Sequence, residues 1–334
     1  MSDSSIKPKI SIVMPLYNEE RYIANCIESL LLQDYPQDDM EWIFVDGMSK
    51  DKTVSILNEY KNKYPSLIYI YENPNKTVPY AMNIGILHAH GKYIIRLDAH
   101  ADYANDYFSK CVHYLDTTDA DNVGGVAETR AKTKLGETIA KILSSKFGVG
   151  NSQFRTGGSS GYVDTVPFGA FRKEVFEKWG GYDERLTRNQ DNEMNYRIRK
   201  NGGKIWLADD IHLTYYCRDT LSGIYKMAMQ NGRWNIITMK LCPGAMGVRH
   251  FIPLGFVLSL VGLPILSFIH PIFIYLLLIE LILYFGLDIL FSAKLSKDIV
   301  EIFKLIFIFP AFHITYGLGS LRGIIDVLSG KFSK

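Results

Sequence analysis

The sequence lacks both common phosphate-binding glycine signatures. No G-x-G-x-x-G and no G-x-x-x-x-G-K-[ST] occurs in its 334 residues, which removes the dinucleotide fingerprint and the P-loop as readings. It also lacks a charge excess. Lys and Arg number 37 against 35 Asp and Glu, a net charge of +2, so nothing global points to nucleic acid. Cysteine is scarce: Cys26, Cys111, Cys217 and Cys242 form no CxxC and no tight ligand spacing. That argues against a structural zinc site and for reduced thiols in a cytosolic compartment. The opening residues, "MSDSSIKPKI", contain no apolar stretch, so no secretory signal peptide is expected.

What is present in quantity is apolar sequence, 47% of the whole, and it concentrates at the C-terminal end. Residues 251–269, "FIPLGFVLSLVGLPILSFI", carry no charge, and residues 271–291 carry only Glu280 and Asp288. Each is close to the roughly 20 residues needed to cross a bilayer core. A third run, 305–321, is uncharged but interrupted by Pro310, Gly317 and Gly319. It reads as a third span if Lys304 and Arg322 snorkel, or as a re-entrant segment. A buried helical hairpin is the alternative, although two adjacent stretches this apolar are rare in soluble cores.

Arg218, Lys226, Arg233, Lys240 and Arg249 precede the first run. The His270–Pro271 link carries no Lys or Arg, and Lys294 and Lys297 follow the second run. By the positive-inside rule, residues 1–250 and the 292–300 loop face the cytoplasm. The expectation is a soluble domain over residues 1–250 and a multi-pass membrane domain over 251–334 in the cell membrane. Three spans place the C-terminus outside; a re-entrant third run keeps it inside.

Within residues 1–250, strands and helices alternate. "KISIVMPL" (9–16), "EWIFVD" (41–46), "LIYIYE" (67–72) and "YIIRLD" (93–98) read as buried strands. Helices are expected over about 51–63 and 80–90, and after Asn18, which is placed to cap a helix with Glu19 and Glu20 in its first turn. This alternation predicts an α/β fold with a doubly wound, mostly parallel sheet. Ligands of such sheets bind at the carboxyl ends of the strands. Asp46 and Asp98 each close a strand there.

After Asp98 the chain reads Asp98-Ala99-His100-Ala101-Asp102. Side chains alternate on an extended segment, so Asp98 and His100 point the same way. One hard oxygen and one imidazole suit Mn²⁺ or Mg²⁺, and Mn²⁺ tolerates the nitrogen better. The plainer alternative is that Asp98 and Asp102 cap a turn.

Five stretches, taken in order, resemble the family-two glycosyltransferases. These are "SIVMPLYNEERYIANCIESLLLQDYP", "FVDGMSKDKT", "YAMNIGILHAHGKYIIRLDAHADY", "VPFGAFRKEVFEKWGGYDE" with "NQDNEMNYRIRKNG", and "QNGRW". The resemblance covers about residues 9–250 and, with the C-terminal apolar runs, extends to membrane-bound, succinoglycan-type members. It implies a GT-A fold and an inverting transfer from a nucleotide-sugar donor, UDP-linked, to a saccharide or lipid-linked acceptor.

On this resemblance, Pro15, Tyr17, Asn18 and Glu19 border the nucleotide, with Glu19 near the ribose. Asp46 accepts from the N–H of the base ring, and Lys76 brings a cation near the nucleotide; as plain residues Asp46 is also suited to cap the turn "DGMSKD" and Lys76 to be a solvated loop lysine. Asp98 anchors the metal. The family's D-x-D reads here as Asp98-Ala99-His100, so either His100 replaces the second carboxylate or Asp102 shares the work. Asp191 matches the family's catalytic aspartate, the general base, with Gln190 in place of the more usual acid. Read as residues alone, Asp191 is also suited to start a helix over 190–200.

Gln230, Arg233 and Trp234 match Q-x-x-R-W and share one helical face. Arg233 is suited to the diphosphate and Trp234 to the acceptor; as plain residues they are also suited to an interfacial anchor. Gly157 to Ser160 form a flexible loop, either shaping the donor-sugar pocket or serving as linker. Residues 135–149 put Ile139, Ile142, Leu143 and Phe147 on one stripe, facing either a membrane surface or the core.

Two other functions compete. A metal-dependent nucleotidyl or phosphoryl transferase would also use a strand-end carboxylate, but it predicts the missing glycine-rich loop. A transporter or membrane scaffold would need more spans, or paired charges within them.

Overall fold

The computed structural model describes residues 8–332. In chain order its strands are β1 (Ile10–Leu16), β2 (Met40–Asp46), β3 (Ile68–Glu72), β4 (Tyr93–Arg96), β5 (Ala101–Tyr103), β6 (Asn122–Arg130), β7 (Gly161–Tyr162), β8 (Ala170–Arg172) and β9 (Ile205–Tyr216). The helices are α1 (Ile23–Leu31), α2 (Thr53–Lys63), α3 (Val78–His88), α4 (Tyr107–Thr117), α5 (Lys134–Leu143), α6 (Lys146–Val149), α7 (Gln153–Thr156), α8 (Lys173–Trp179), α9 (Gln190–Lys200), α10 (Leu221–Leu241), α11 (Ile252–Ser267), α12 (Ile272–Leu295) and α13 (Ile299–Leu328). The chain divides into two compact units. One runs up to Glu128 and again from Gly157 to Tyr215; the other takes Thr129 to Thr156 and everything from Tyr216 onward. Residues 129–156 and 216–250, grouped above with the soluble domain, thus cluster with the C-terminal helices.

In the first unit a nine-stranded sheet runs β3-β2-β1-β4-β8-β6-β9-β5, with β7 on β9. The four strands read from sequence form its parallel half, β2 and β4 flanking β1 and β3 outside β2. Beyond β4 the sheet turns antiparallel: β8 opposes both β4 and β6, while β5 and β7 oppose β9. Every residue of β2 and β4 is buried, as expected for central strands covered on both faces, where an unbroken apolar run replaces alternation. On one face α3 lies so close to β1 that a Cβ on Gly85 would come within 2.3 Å of Val13 Cγ1.

The chain builds β1, β2 and β3 outward on one side, then crosses to lay β4 on the other side of β1. The carboxyl ends of β1 and β4 therefore flank the switch point, where a doubly wound sheet opens a crevice.

The second unit holds three helices long and apolar enough to cross a membrane, spanning Val248–Ser267, Ile272–Leu295 and Ile299–Leu328. The interrupted third run is a single 30-residue helix, α13, that passes through Pro310. Its glycines serve close approach instead of breaking the helix. A Cβ on Gly317 would stand 2.3 Å from the Pro253 carbonyl oxygen of α11, and one on Gly319 would stand 2.2 Å from the Met229 carbonyl oxygen of α10. Small residues at such contacts are how apolar helices pack where no water drives them together.

The stripe over 135–149 splits into α5 and α6, with the Ser145 hydroxyl accepting from Gly148 N–H at 3.0 Å. Ile139, Ile142 and Leu143 are buried. The Phe147 ring packs against Tyr284, Phe291, Phe309 and His313. Of the two faces considered for this stripe, protein covers it.

Candidate active site

The crevice at the switch point is a cleft of about 130 Å³. Pro15, Tyr17 and Glu19 line it from the end of β1, Asn73 and Lys76 from the loop after β3, and Asp98 and His100 from the turn after β4. Of the residues expected at the nucleotide and the metal, these six – Pro15, Tyr17, Glu19, Lys76, Asp98 and His100 – meet in one place.

The turn after β4 keeps the alternation read from its sequence. Ala99, Ala101 and Tyr103 are buried, while Asp98 is half-buried and His100 and Asp102 are exposed. The Tyr103 hydroxyl accepts from the Asp98 N–H at 2.8 Å, holding the turn from beneath. His100 Nδ1 lies 3.5 Å from Glu19 Oε1, so the imidazole faces the end of β1. Asp102 does not line the cleft.

Asn18 does not cap a helix. Helix α1 begins only at Ile23, its cap residue Tyr22 makes no side-chain cap bond, and no acid lies in its first turn. The Asn18 side chain instead accepts from Lys50 N–H at 2.9 Å, while its own N–H donates to Ser49 Oγ at 2.8 Å. Glu19 N–H donates to Thr53 Oγ1 at 2.8 Å. Local sequence offered a cap, but the 49–53 loop made a stronger claim on the same groups. The result is a hydrogen-bonded wall at the β1 end.

Asp46 sits at the base of that wall, 3% exposed. Its Oδ2 accepts from Ser49 N–H at 2.9 Å. Its Oδ1 is buried with no donor among the described residues. A buried carboxylate oxygen left unpaired costs free energy, and a ligand N–H would satisfy it. Lys76 is held by a loop built on Asn73, which is buried. Asn73 N–H donates to the Asp46 carbonyl oxygen at 2.7 Å, and its Nδ2 donates to the Thr77 carbonyl oxygen at 2.9 Å.

Among the described residues the non-glycine positions with positive φ are Asn18, Met48, Lys76, Phe168 and Asn189. Four of them lie at or within two residues of Asn18, Asp46, Lys76 and Asp191, and the ring of the fifth, Phe168, lies 5.7 Å from the Arg96 guanidinium. Sparse backbone conformations of this kind cluster at functional sites and persist only where their surroundings impose them.

Asp191 occupies the first turn of α9. It is not a side-chain cap, since the cap residue is Asn189 in left-handed geometry without a side-chain bond. The helix is anchored by Asn195, whose Nδ2 donates to Thr165 Oγ1 at 2.8 Å and whose Oδ1 accepts from Asn122 at 2.7 Å.

The Asp191 carboxylate pairs directly with Arg96 Nη1, and Arg96 Nη2 lies 3.5 Å from Asp98 Oδ1. The two aspartates expected at the metal and at the base thus share one guanidinium. Arg96 is 4% exposed. Burial works against its charge, yet Asp191 and Asp98 outweigh that effect and raise its pKa. Phe168 lies beneath the guanidinium at 5.7 Å. Tyr182 flanks it, the phenol pushed well above its ordinary pKa by burial and by the Asp191 charge. Asn83 of α3 fixes Tyr182 in place, accepting from its N–H at 2.7 Å and donating to its carbonyl oxygen at 2.9 Å.

A carboxylate and an imidazole opening on one cleft fit Mn²⁺ or Mg²⁺ as two ligands, with further positions left to oxygens of a bound molecule. Among the described residues no cluster of three or more His, Cys, Asp or Glu is arranged to hold a metal. The chain by itself supplies a partial site.

Gln230, Arg233 and Trp234 lie on α10, in the other unit. Arg233 Nε donates to Asp326 Oδ2 at 2.5 Å, and Arg322 reaches the same carboxylate at 3.2 Å. In the Gly157–Ser160 loop, Ser160 donates to Asp209 at 2.6 Å.

Sequence reading missed Arg96, Asn73 and Tyr182. Arg96 alone left a trace: a charged residue inside the apolar run "YIIRL" must find a buried partner.

Residues 11–180 match the glycosyl transferase family 2 profile, "Glycosyl transferase family 2". The chain belongs to that family. Among curated relatives, this glycosyltransferase is 31% identical over 259 residues to succinoglycan biosynthesis protein ExoA of Rhizobium meliloti, covering 76% of this chain and 77% of that one. It is 29% identical over 280 residues to dolichyl N-acetyl-alpha-D-glucosaminyl phosphate 3-beta-D-2,3-diacetamido-2,3-dideoxy-beta-D-glucuronosyltransferase of Methanococcus voltae, covering 82% and 86%. Among solved structures, the mannosyltransferase PcManGT from Pyrobaculum calidifontis, in complex with GDP-Man and Mn²⁺, superposes with a TM-score of 0.64 at 18% identity, covering 98% of this chain and 89% of that one. S. aureus TarS 1-349 in complex with UDP gives 0.53 at 15%, covering 96% and 92%. These likenesses show the fold of the glycosyltransferase, GT-A-like with a mixed sheet. The matched family span ends within a residue of α8, so Asp191 lies beyond it.

Proposed function

We propose that this glycosyltransferase is a membrane-anchored, inverting enzyme of the hexosyltransferase type. It moves a sugar from a UDP-linked donor to a lipid-linked acceptor in polysaccharide or glycolipid synthesis. The observation that carries the reading is the placement of Asp98 and Asp191 on one buried guanidinium beside a cleft at the strand ends. A donor-side acid and an acceptor-side acid are what direct displacement at an anomeric carbon requires.

The unpaired Asp46 Oδ1 takes the N–H of the base ring, which supports uracil. Glu19 faces the ribose. Lys76, held at the cleft rim, faces the phosphates. Asp98 and His100 hold Mn²⁺ or Mg²⁺; the cation, when bound, stabilises charge on the departing diphosphate. Asp191 removes the proton of the attacking hydroxyl, a contribution worth typically about 10²–10⁴-fold. Within the second unit, Arg233 fixes α10 to α13 through Asp326.

The three candidate spans, with Lys294 in the last turn of α12 and Lys297 just after it, support a membrane-anchored chain with a cytoplasmic catalytic unit. Relatives with succinoglycan and dolichyl phosphate in their names support a lipid-linked acceptor.

Titration of the detergent-solubilised chain with UDP, GDP and CDP in Mn²⁺ by calorimetry tests the reading. UDP binds best, and Asp98→Ala or chelation weakens binding by about tenfold or more, the scale of a lost charge-assisted contact. If none of the three nucleotides binds, the proposal is withdrawn in favour of the scaffold.

A further inference from the structure

Among the described residues, Arg96 is the buried charge that touches both halves of the proposed reaction. Its Nη1 holds Asp191, and its Nη2 lies 3.5 Å from Asp98. Its Nε is buried with no acceptor among the described residues. The guanidinium is wedged between the Phe168 ring at 5.7 Å and Tyr182. Each neighbour is itself pinned. The Phe168 carbonyl oxygen accepts from Tyr107 Oη at 3.1 Å, Tyr182 is clamped by Asn83, and α9 is anchored through Asn195.

A planar fork with fixed spacing between its nitrogens transmits position in a way that a point charge cannot. Two carboxylates brought this close without a cation would repel.

We propose that Arg96 is a positioning residue for sugar transfer, its guanidinium setting the general base Asp191 relative to the donor-side acid Asp98. The proposal rests on the assignment of Asp191 as base. Before the donor arrives the guanidinium balances both carboxylates. When Asp98 engages the diphosphate side, the same guanidinium still holds Asp191 where it stands in this structure. The test therefore lies in kcat and not in donor affinity.

The full-length enzyme in detergent is assayed by release of nucleoside diphosphate from its preferred donor, with polyprenyl-linked saccharide in vesicles as acceptor. Calorimetry with UDP and thermal melts run in parallel. Misplacing a catalytic group by about an ångström costs on the order of 10²-fold. Arg96→Met is expected to lose that much kcat, with donor KM and UDP affinity within about threefold. Arg96→Lys, which keeps the charge and loses the fork, recovers about tenfold of the loss. Arg96→Met/Asp191→Asn is no slower than Asp191→Asn alone, because the arginine acts through that carboxylate.

A slow Asp191→Asn together with a normal Arg96→Met overturns the positioning role and leaves the base assignment standing. Normal turnover by Asp191→Asn overturns both. Should Arg96→Met fail to fold, Arg96→Lys decides alone: wild-type kcat, or a loss that tracks UDP affinity and melting temperature, ends the proposal.

Discussion

Asp116 shows, away from the cleft, how single residues in this fold are held by convergent charges. Its carboxylate accepts from Lys9 Nζ at 2.8 Å, Tyr93 Oη at 2.5 Å and Lys92 Nζ at 3.3 Å. Burial alone would raise its pKa. The bonds from Lys9, Tyr93 and Lys92 overcome that and hold it down at about 2. A carboxylate depressed in the folded state stabilises fully above its unfolded value of about 4 and loses that contribution as pH falls through the folded value. Asp116→Asn is therefore expected to lower the thermal midpoint at pH 7. The gap to wild type closes between about pH 4 and the folded pKa near 2. Parallel melts across that range check it, and a gap that persists at the acid end contradicts the ion-pair account.

Helices α10 and α13 meet through glycine on both sides. A Cβ on Gly232 would lie 2.0 Å from the Tyr316 carbonyl oxygen, and one on Gly323 would lie 2.5 Å from the Arg233 carbonyl oxygen. The close approach delivers Arg233 to the buried Asp326. Backbone cannot yield as a flexible side chain does, so Gly232→Ala should cost roughly 1–3 kcal/mol, the range for overpacking. Gly286→Ala, in a helix where a Cβ meets nothing within 4 Å, is the matched control. Melts of the two variants in detergent decide the matter: equal midpoints would mean that the α10–α13 contact is not tight. At this scale the sequence was only half legible. Gly317 and Gly319 looked like interruptions because a glycine's neighbours in space are invisible along the chain, and α13 became continuous only once α10 and α11 were set against it.

On the scale of the whole chain, the boundary between soluble and membrane parts is the point at issue. Hydropathy shifts near residue 250, yet α10 makes its contacts with α13 inside the second compact unit. A chain cut after residue 250 loses α11, α12 and α13, and with them the partner of Arg233 and the cover over α10 and Phe147. Losing that cover leaves the apolar surface of α10 and the Phe147 ring open to water, an aggregation liability. The truncated chain is expected to aggregate or melt well below the full-length enzyme, as read by size-exclusion chromatography and thermal scans. A monodisperse, equally stable 1–250 fragment would support a boundary at residue 250.

The sequence by itself determined the parallel α/β half, the strand-end acids, the apolar helices and the family, because each is written in short-range pattern: alternating elements, acids at strand ends, uncharged runs. Only tertiary structure decided that Asp98 and Asp191 share Arg96, that Asn18 serves a neighbouring loop instead of its own helix, that Arg233 answers Asp326, and that the stripe over 135–149 faces protein. In each case a charged, polar or apolar group had several partners within reach of chemistry, and the fold brought one of them within reach in space.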